Sequence, residues 1–97
     1  MKKANKTCLE IFQQRHTIDV LVAVTEQQPV GFNDLQKLLN VNTVTLQRRL
    51  EELINKNFVE KISCVDDQRA VYYQLLPRGK KVSEMLLAFR SYLIKTS

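Results

Sequence analysis

Between Asn42 and Glu52, hydrogen-bond donors, acceptors and methyl groups recur at helical spacing. At about 100° per residue, the face opposite Leu46, Leu50 and Leu53 carries Val44, Thr45, Arg48 and Glu52. Thr43 and Gln47 flank its N-terminal end, and Arg49 borders the apolar side. This set matches the edges of base pairs. Arginine can form two bonds to guanine, glutamine can pair with adenine, and valine or threonine can touch a thymine methyl. The expected contact residues of this helix are Asn42, Thr43, Val44, Thr45, Gln47, Arg48 and Arg49. The blander alternative is a solvated face balanced by Glu51 and Glu52.

A second polar group follows at Asp66-Asp67-Gln68-Arg69. Gln68 and Arg69 at a hairpin tip can reach a minor groove, whose negative potential attracts arginine. The aspartates suit turn formation, and one of them can orient Arg69 through a charge-assisted bond.

Other chemistry is thinly represented. His16 is the one histidine, and no carboxylate cluster accompanies it in the sequence. No glycine-rich phosphate loop is present, since glycine occurs only at Gly31 and Gly79. Asp66 and Asp67 lack neighbouring metal-ligand types, and Cys8 and Cys64 do not form a zinc motif. No enzyme activity, metal or cofactor is therefore expected. Cys8, near Arg15 and His16, reads as an inert thiol, and Cys64 as a small core residue of a strand.

These residues need a scaffold, and 97 residues allow one domain. Hydrophobic residues form 44% of it, enough for one core. The chain has 15 Lys and Arg against 10 Asp and Glu, a formal charge of +5. A basic surplus fits a polyanionic partner. No stretch approaches the roughly 20 apolar residues of a membrane span, and no signal peptide is visible, so a cytoplasmic location with reduced thiols is expected.

Residues 1–28 read as N-terminal helices with a break near Gln14 to His16; Ile18, Leu21, Val22 and Thr25 carry the buried spacing of the second. Gln28-Pro29 ends it. Residues 33–56 form helix, short turn, helix, with Asn33 as the first N-cap and Asn42 or Thr43 as the second. Leu35, Leu38 and Leu39 line the first helix, and Val41 plugs the turn. Asn57 suits a left-handed helix end. Residues 58–75 read as a β-hairpin, in which Val71, Tyr73 and Leu75 share one side. Pro77 opens a last helix over 77–94. There Val82, Leu86, Phe89 and Leu93 form an a/d-type seam, widened by Met85, Leu87 and Tyr92. So small a chain has little core to cover that surface, so Val82, Met85, Leu86, Phe89 and Leu93 are the expected dimer contacts.

The chain resembles the HxlR and MarR families of winged-helix regulators. Phe32-Asn33-Asp34-Leu35 is similar to the HxlR Phe-Ser-Glu-Leu, and Leu46, Arg49, Leu50, Glu52 and Leu53 follow that family's recognition helix. Asn57-Phe58-Val59-Glu60-Lys61 resembles Gly-Leu-Val-Glu-Arg, and Tyr73 to Gly79 resembles Tyr-Arg-Leu-Thr-Pro-x-Gly. The tip from Asp66 to Val71 is closer to the MarR wing, whose arginine enters the minor groove. Cys8 is followed by Leu9 rather than the HxlR proline, Gln14-Arg15-His16 stand for Gly-Lys-Trp, and Leu76 replaces a capping threonine. The resemblance implies an α+β winged helix-turn-helix with a C-terminal dimerisation helix. The expected function is sequence-specific binding of double-stranded DNA by a homodimeric transcriptional regulator. A plasmid or phage partition or replication protein, or a winged helix that binds protein, are the alternatives. No small-molecule effector is legible.

Overall fold

A computed structural model describes residues 6–63 and 71–96. The expected hairpin tip, with Gln68 and Arg69 as DNA contacts, and the expected core residue Cys64 lie outside the described residues. The elements run α1 (Cys8–Phe12), α2 (Thr17–Gln27), β1 (Val30–Gly31), α3 (Phe32–Leu39), α4 (Thr43–Asn55), β2 (Val59–Ser63), β3 (Val71–Leu75) and α5 (Pro77–Thr96). The strands form an antiparallel sheet in the order β1-β3-β2. This is the α+β winged helix-turn-helix arrangement, with α3 and α4 as its two motif helices and β2 and β3 as the hairpin.

Thr7 starts α1 through a capping box: its hydroxyl accepts from the Glu10 amide, and Glu10 accepts from the Thr7 amide at 2.7 Å. The expected break comes at His16, whose φ of 75° is left-handed. The buried face of α2 is turned from the expected one. Thr17, Val20, Leu21, Ala23 and Val24 are buried, whereas Ile18 is exposed. Because α2 packs against α3, α4, α5 and β3, it is covered on several sides, and a single stripe does not describe it.

Asn33 is not the N-cap of α3. The helix begins one residue earlier, at Phe32, and Gly31 occupies the cap position without a side-chain bond. Gly31 pairs with Tyr72 in the sheet, so the strand delivers the chain directly into the helix.

Leu35, Leu46, Leu50, Leu53, Phe58, Val59 and Tyr73 join the α2 residues and Ile11 in one core. Phe58 is its hinge to α5. Its amide donates to the Leu53 carbonyl at 2.9 Å, and its carbonyl accepts from the Leu76 amide at 3.0 Å. Its ring meets Phe12 edge-on at 5.2 Å, and the Arg78 guanidinium lies 4.7 Å from the ring centre.

The seam expected on α5 divides in two. Val82 and Leu86 pack against the subunit's own core, beside the buried Gly79 and Ser83. The Thr25 hydroxyl donates to the Leu21 carbonyl and lies 2.7 Å from the Ser83 hydroxyl, so Ser83 supplies the proton of that second bond. Met85, Phe89 and Leu93 remain exposed, together with Tyr92. The reason is geometric: small residues at 79 and 83 let α5 approach closely, and 82 and 86 share that inward side.

Candidate nucleic-acid interface

Four local devices position α4. Asn40 takes the left-handed conformation at the end of α3, with φ of 53°. Val41 is buried in the turn, as expected. Asn42 caps α4, its carboxamide oxygen accepting from the Val44 amide at 2.8 Å and the Thr45 amide at 3.4 Å. Gln36 spans the turn from α3, donating to the Thr43 hydroxyl at 2.6 Å and to the Val41 carbonyl at 3.2 Å. The role of Gln36 was not read from the sequence; a polar residue facing the turn four positions before Asn40 is its one signal. Asn42→Ala is expected to cost about 1 kcal/mol of stability, as loss of such a cap usually does, with Asn42→Asp close to neutral. Thermal unfolding of the two variants checks this.

Leu46, Leu50 and Leu53 anchor α4 in the core. Thr43, Val44, Gln47 and Arg48 are exposed, and Thr45 is half-buried. Val44 keeps 59% of its surface exposed at the first turn, where a thymine methyl could meet it. Arg48 makes no ion pair or hydrogen bond among the described residues, so its five donors face outward.

Arg49 departs from its expected place at the contact surface. It is buried, donating to the Gln14 carboxamide oxygen at 3.0 Å and pairing with Glu52 at 3.4 Å. Glu52, expected on the outward face, is also drawn in, and its other oxygen takes Lys6 at 2.8 Å. Position 49 shares the inward stripe of 46, 50 and 53, which explains the turn of its side chain. The pair fastens α4 to the break between α1 and α2. Asn42 likewise spends its side-chain oxygen on the helix cap.

Beside α4 lies a cavity of about 270 Å³, walled by Phe32 from α3, by the Thr43, Gln47 and Glu51 edge of α4 with Leu50 and Ile54, and by Lys61 and Tyr73 of the sheet. Burial, and then the nearby Glu51 carboxylate, raise the Tyr73 phenol above its ordinary value. No group of three or more His, Cys, Asp or Glu side chains among the described residues is arranged to hold a metal ion. Nor is any described helix long and apolar enough to cross a membrane.

Known proteins share both the sequence and the arrangement. The MarR family profile matches residues 15–71. A helix-turn-helix-type transcriptional regulator of Methanocaldococcus jannaschii, itself uncharacterized, is 36% identical over 80 residues, covering 80% of this chain and 74% of the relative. A similar regulator of Bacillus subtilis, YhjH, is 26% identical over 70% of this chain, which spans only 39% of that protein. Among solved structures, a possible HxlR family transcriptional factor from Thermoplasma volcanium superposes with a TM-score of 0.79 at 20% identity, covering 98% of this chain and 85% of that one. FabT of Streptococcus pneumoniae, solved in complex with DNA, superposes with a TM-score of 0.78 at 17% identity, covering 91% of this chain and 66% of that one. AdcR of Streptococcus pyogenes gives 0.78 at 16%, covering 90% of this chain and 63% of that one. The chain thus spans slightly under two thirds of these two longer regulators. With the profile covering more than half of its length, the chain belongs to the MarR family of transcriptional regulators.

Proposed function

We propose that the chain works as one winged-helix domain, binding duplex DNA sequence-specifically as a homodimer that controls transcription. The observation that carries this is α4: a helix fixed by Asn42, Gln36 and Arg49, presenting Thr43, Val44, Gln47 and Arg48 with no partner of their own beyond the Gln36–Thr43 bond. In this reading α4 enters the major groove and reads base edges, while lysines and arginines neutralise phosphates. The DNA complex of FabT, which has the same fold, supports the partner class. The basic surplus of +5 supports it too. Arg69 and Gln68 are assigned to the minor groove beside the reading helix.

The test is binding to a randomised pool of duplexes, titrated at several salt concentrations. If roughly 6–10 phosphates are neutralised, affinity falls about 10³–10⁵-fold between 50 and 200 mM salt. Arg48→Ala is expected to cost roughly 1–3 kcal/mol at one preferred base and to relax selection there. Arg69→Ala is expected to weaken binding more evenly across sequences. A flat salt response, with no selected sequence, would instead favour a winged helix that binds protein.

A further inference from the structure

The cavity beside α4 holds features that base reading does not use. Tyr73 is 7% exposed, and its hydroxyl has no hydrogen-bond partner among the described residues. The hydroxyl can donate to water or to a ligand atom in the cavity that Tyr73 lines. Lys61 stands directly opposite Tyr73 in the β2–β3 register, which places both side chains on one face of the sheet. Glu51 of α4 lines the same cavity, and burial first, then its carboxylate, raise the Tyr73 phenol above its ordinary value. Glu51 and Lys61 carry opposite charges at one opening, yet they form no ion pair with each other among the described residues. Between them the wall is apolar, built by Phe32, Leu50 and Ile54.

We propose that this cavity is a binding site for a small zwitterion, an apolar α-amino acid, whose ammonium group meets Glu51, whose carboxylate meets Lys61 and the Tyr73 hydroxyl, and whose side chain packs on Phe32, Leu50 and Ile54. Charge complementarity selects this class. A simple carboxylic acid gains Lys61 but is repelled by Glu51, and a simple amine meets the reverse problem. Only a ligand bearing both charges engages both walls. The volume, about 270 Å³, lies just under the roughly 300–1,000 Å³ range of pockets for drug-sized ligands and suits an occupant of amino-acid size. Thr43 and Gln47 line the same cavity, so its occupant lies against the reading edge of α4. This regulatory consequence rests on the DNA-binding reading above. Ligand and DNA then alter each other's affinity by the same factor.

Titration calorimetry on the full chain without DNA tests the site. L-phenylalanine or L-leucine is expected to bind once per chain with a Kd on the order of 1 mM or tighter. Phenethylamine and 3-phenylpropionate, each lacking one charge, are expected to bind at least about tenfold more weakly. Tyr73→Phe is expected to weaken binding about tenfold while retaining the fold, and Glu51→Gln and Lys61→Met to abolish it. Absence of heat with every apolar amino acid at millimolar concentration overturns the proposal. Equal binding of 3-phenylpropionate overturns it also, by making the site an anion site. DNA titration with and without saturating amino acid tests the coupling, expected as a shift of about fivefold or more in DNA affinity. Unchanged DNA affinity overturns the regulatory role. Failure to bind any DNA sinks the DNA-binding reading alone, because the calorimetry is independent of it.

Discussion

Gly79→Ala is expected to destabilise the domain by roughly 3 kcal/mol or more, at or above the upper end of overpacking effects. Two effects oppose each other at this position. Gly79 lies within α5, where alanine is the better helix former by about 1 kcal/mol. Against that, a Cβ at this position would fall inside the Phe58 carbonyl oxygen, 2.8 Å from its carbonyl carbon and 3.1 Å from its Cα. A side chain could rotate away, but these are backbone atoms. The Phe58 backbone is also held on both sides, by its bond to Leu53 and by the bond it accepts from Leu76. Steric exclusion therefore wins, and α5 must shift from the sheet, uncovering Val82, Ser83 and Leu86. A domain of this size holds about 5–15 kcal/mol in all, so the loss takes a large fraction. It corresponds to a fall in Tm of roughly 12–24 °C. Urea unfolding of Gly79→Ala beside the exposed-site control Lys80→Ala measures it. Equal midpoints for wild type and Gly79→Ala would show that α5 does not sit on Phe58.

The same residue illustrates what a sequence can and cannot carry. The need for glycine at 79 comes from the distant Phe58 backbone and is not legible locally, whereas Pro77 marks the start of α5 for a local reason, a missing amide tolerated in the first turn. Asn57 likewise takes its left-handed conformation, with φ of 65°, from a preference of its own type. The Leu46, Leu50, Leu53 stripe is legible because periodicity separates inside from outside on an amphipathic helix, and Val41 because it is the one apolar residue in a polar turn. Where several elements share one residue, that logic stops. Ile18 fits a three-four pattern but faces outward, since α2 is surrounded and its neighbours decide which side is deepest. Arg49 reads as a contact residue by type, yet Gln14 and Glu52, distant and near in sequence, draw it inward. The cavity of Glu51, Lys61 and Tyr73 was invisible for the same reason. Its walls come from four elements, and only the β2–β3 register aligns Lys61 with Tyr73.

The division of α5 yields the other large effect. Met85, Phe89, Tyr92 and Leu93 lie at steps of four, three and one, on one face of the helix, with exposures of 58%, 61%, 65% and 47%. Four large apolar side chains on one exposed helix face make a patch of the kind that marks an interface. A second copy of the helix can cover it symmetrically, each residue meeting its counterpart's neighbours. The double substitution Met85→Glu and Phe89→Glu is therefore expected to give a folded monomer, because neither side chain belongs to the subunit's own core. Leu86→Glu is expected to unfold the chain instead, since Leu86 packs against that core. Sedimentation velocity at micromolar concentration separates the two outcomes, with circular dichroism reporting whether each variant keeps its helices. On the proposed homodimeric reading, the monomer should also lose DNA affinity by about 10²–10⁴-fold, because two linked reading helices would engage half-sites about one helical turn apart, roughly 34 Å, with the second contact made intramolecular. A wild-type chain that sediments as a monomer, with Met85→Glu and Phe89→Glu changing neither mass nor DNA affinity, would refute the assignment of this face to a second copy.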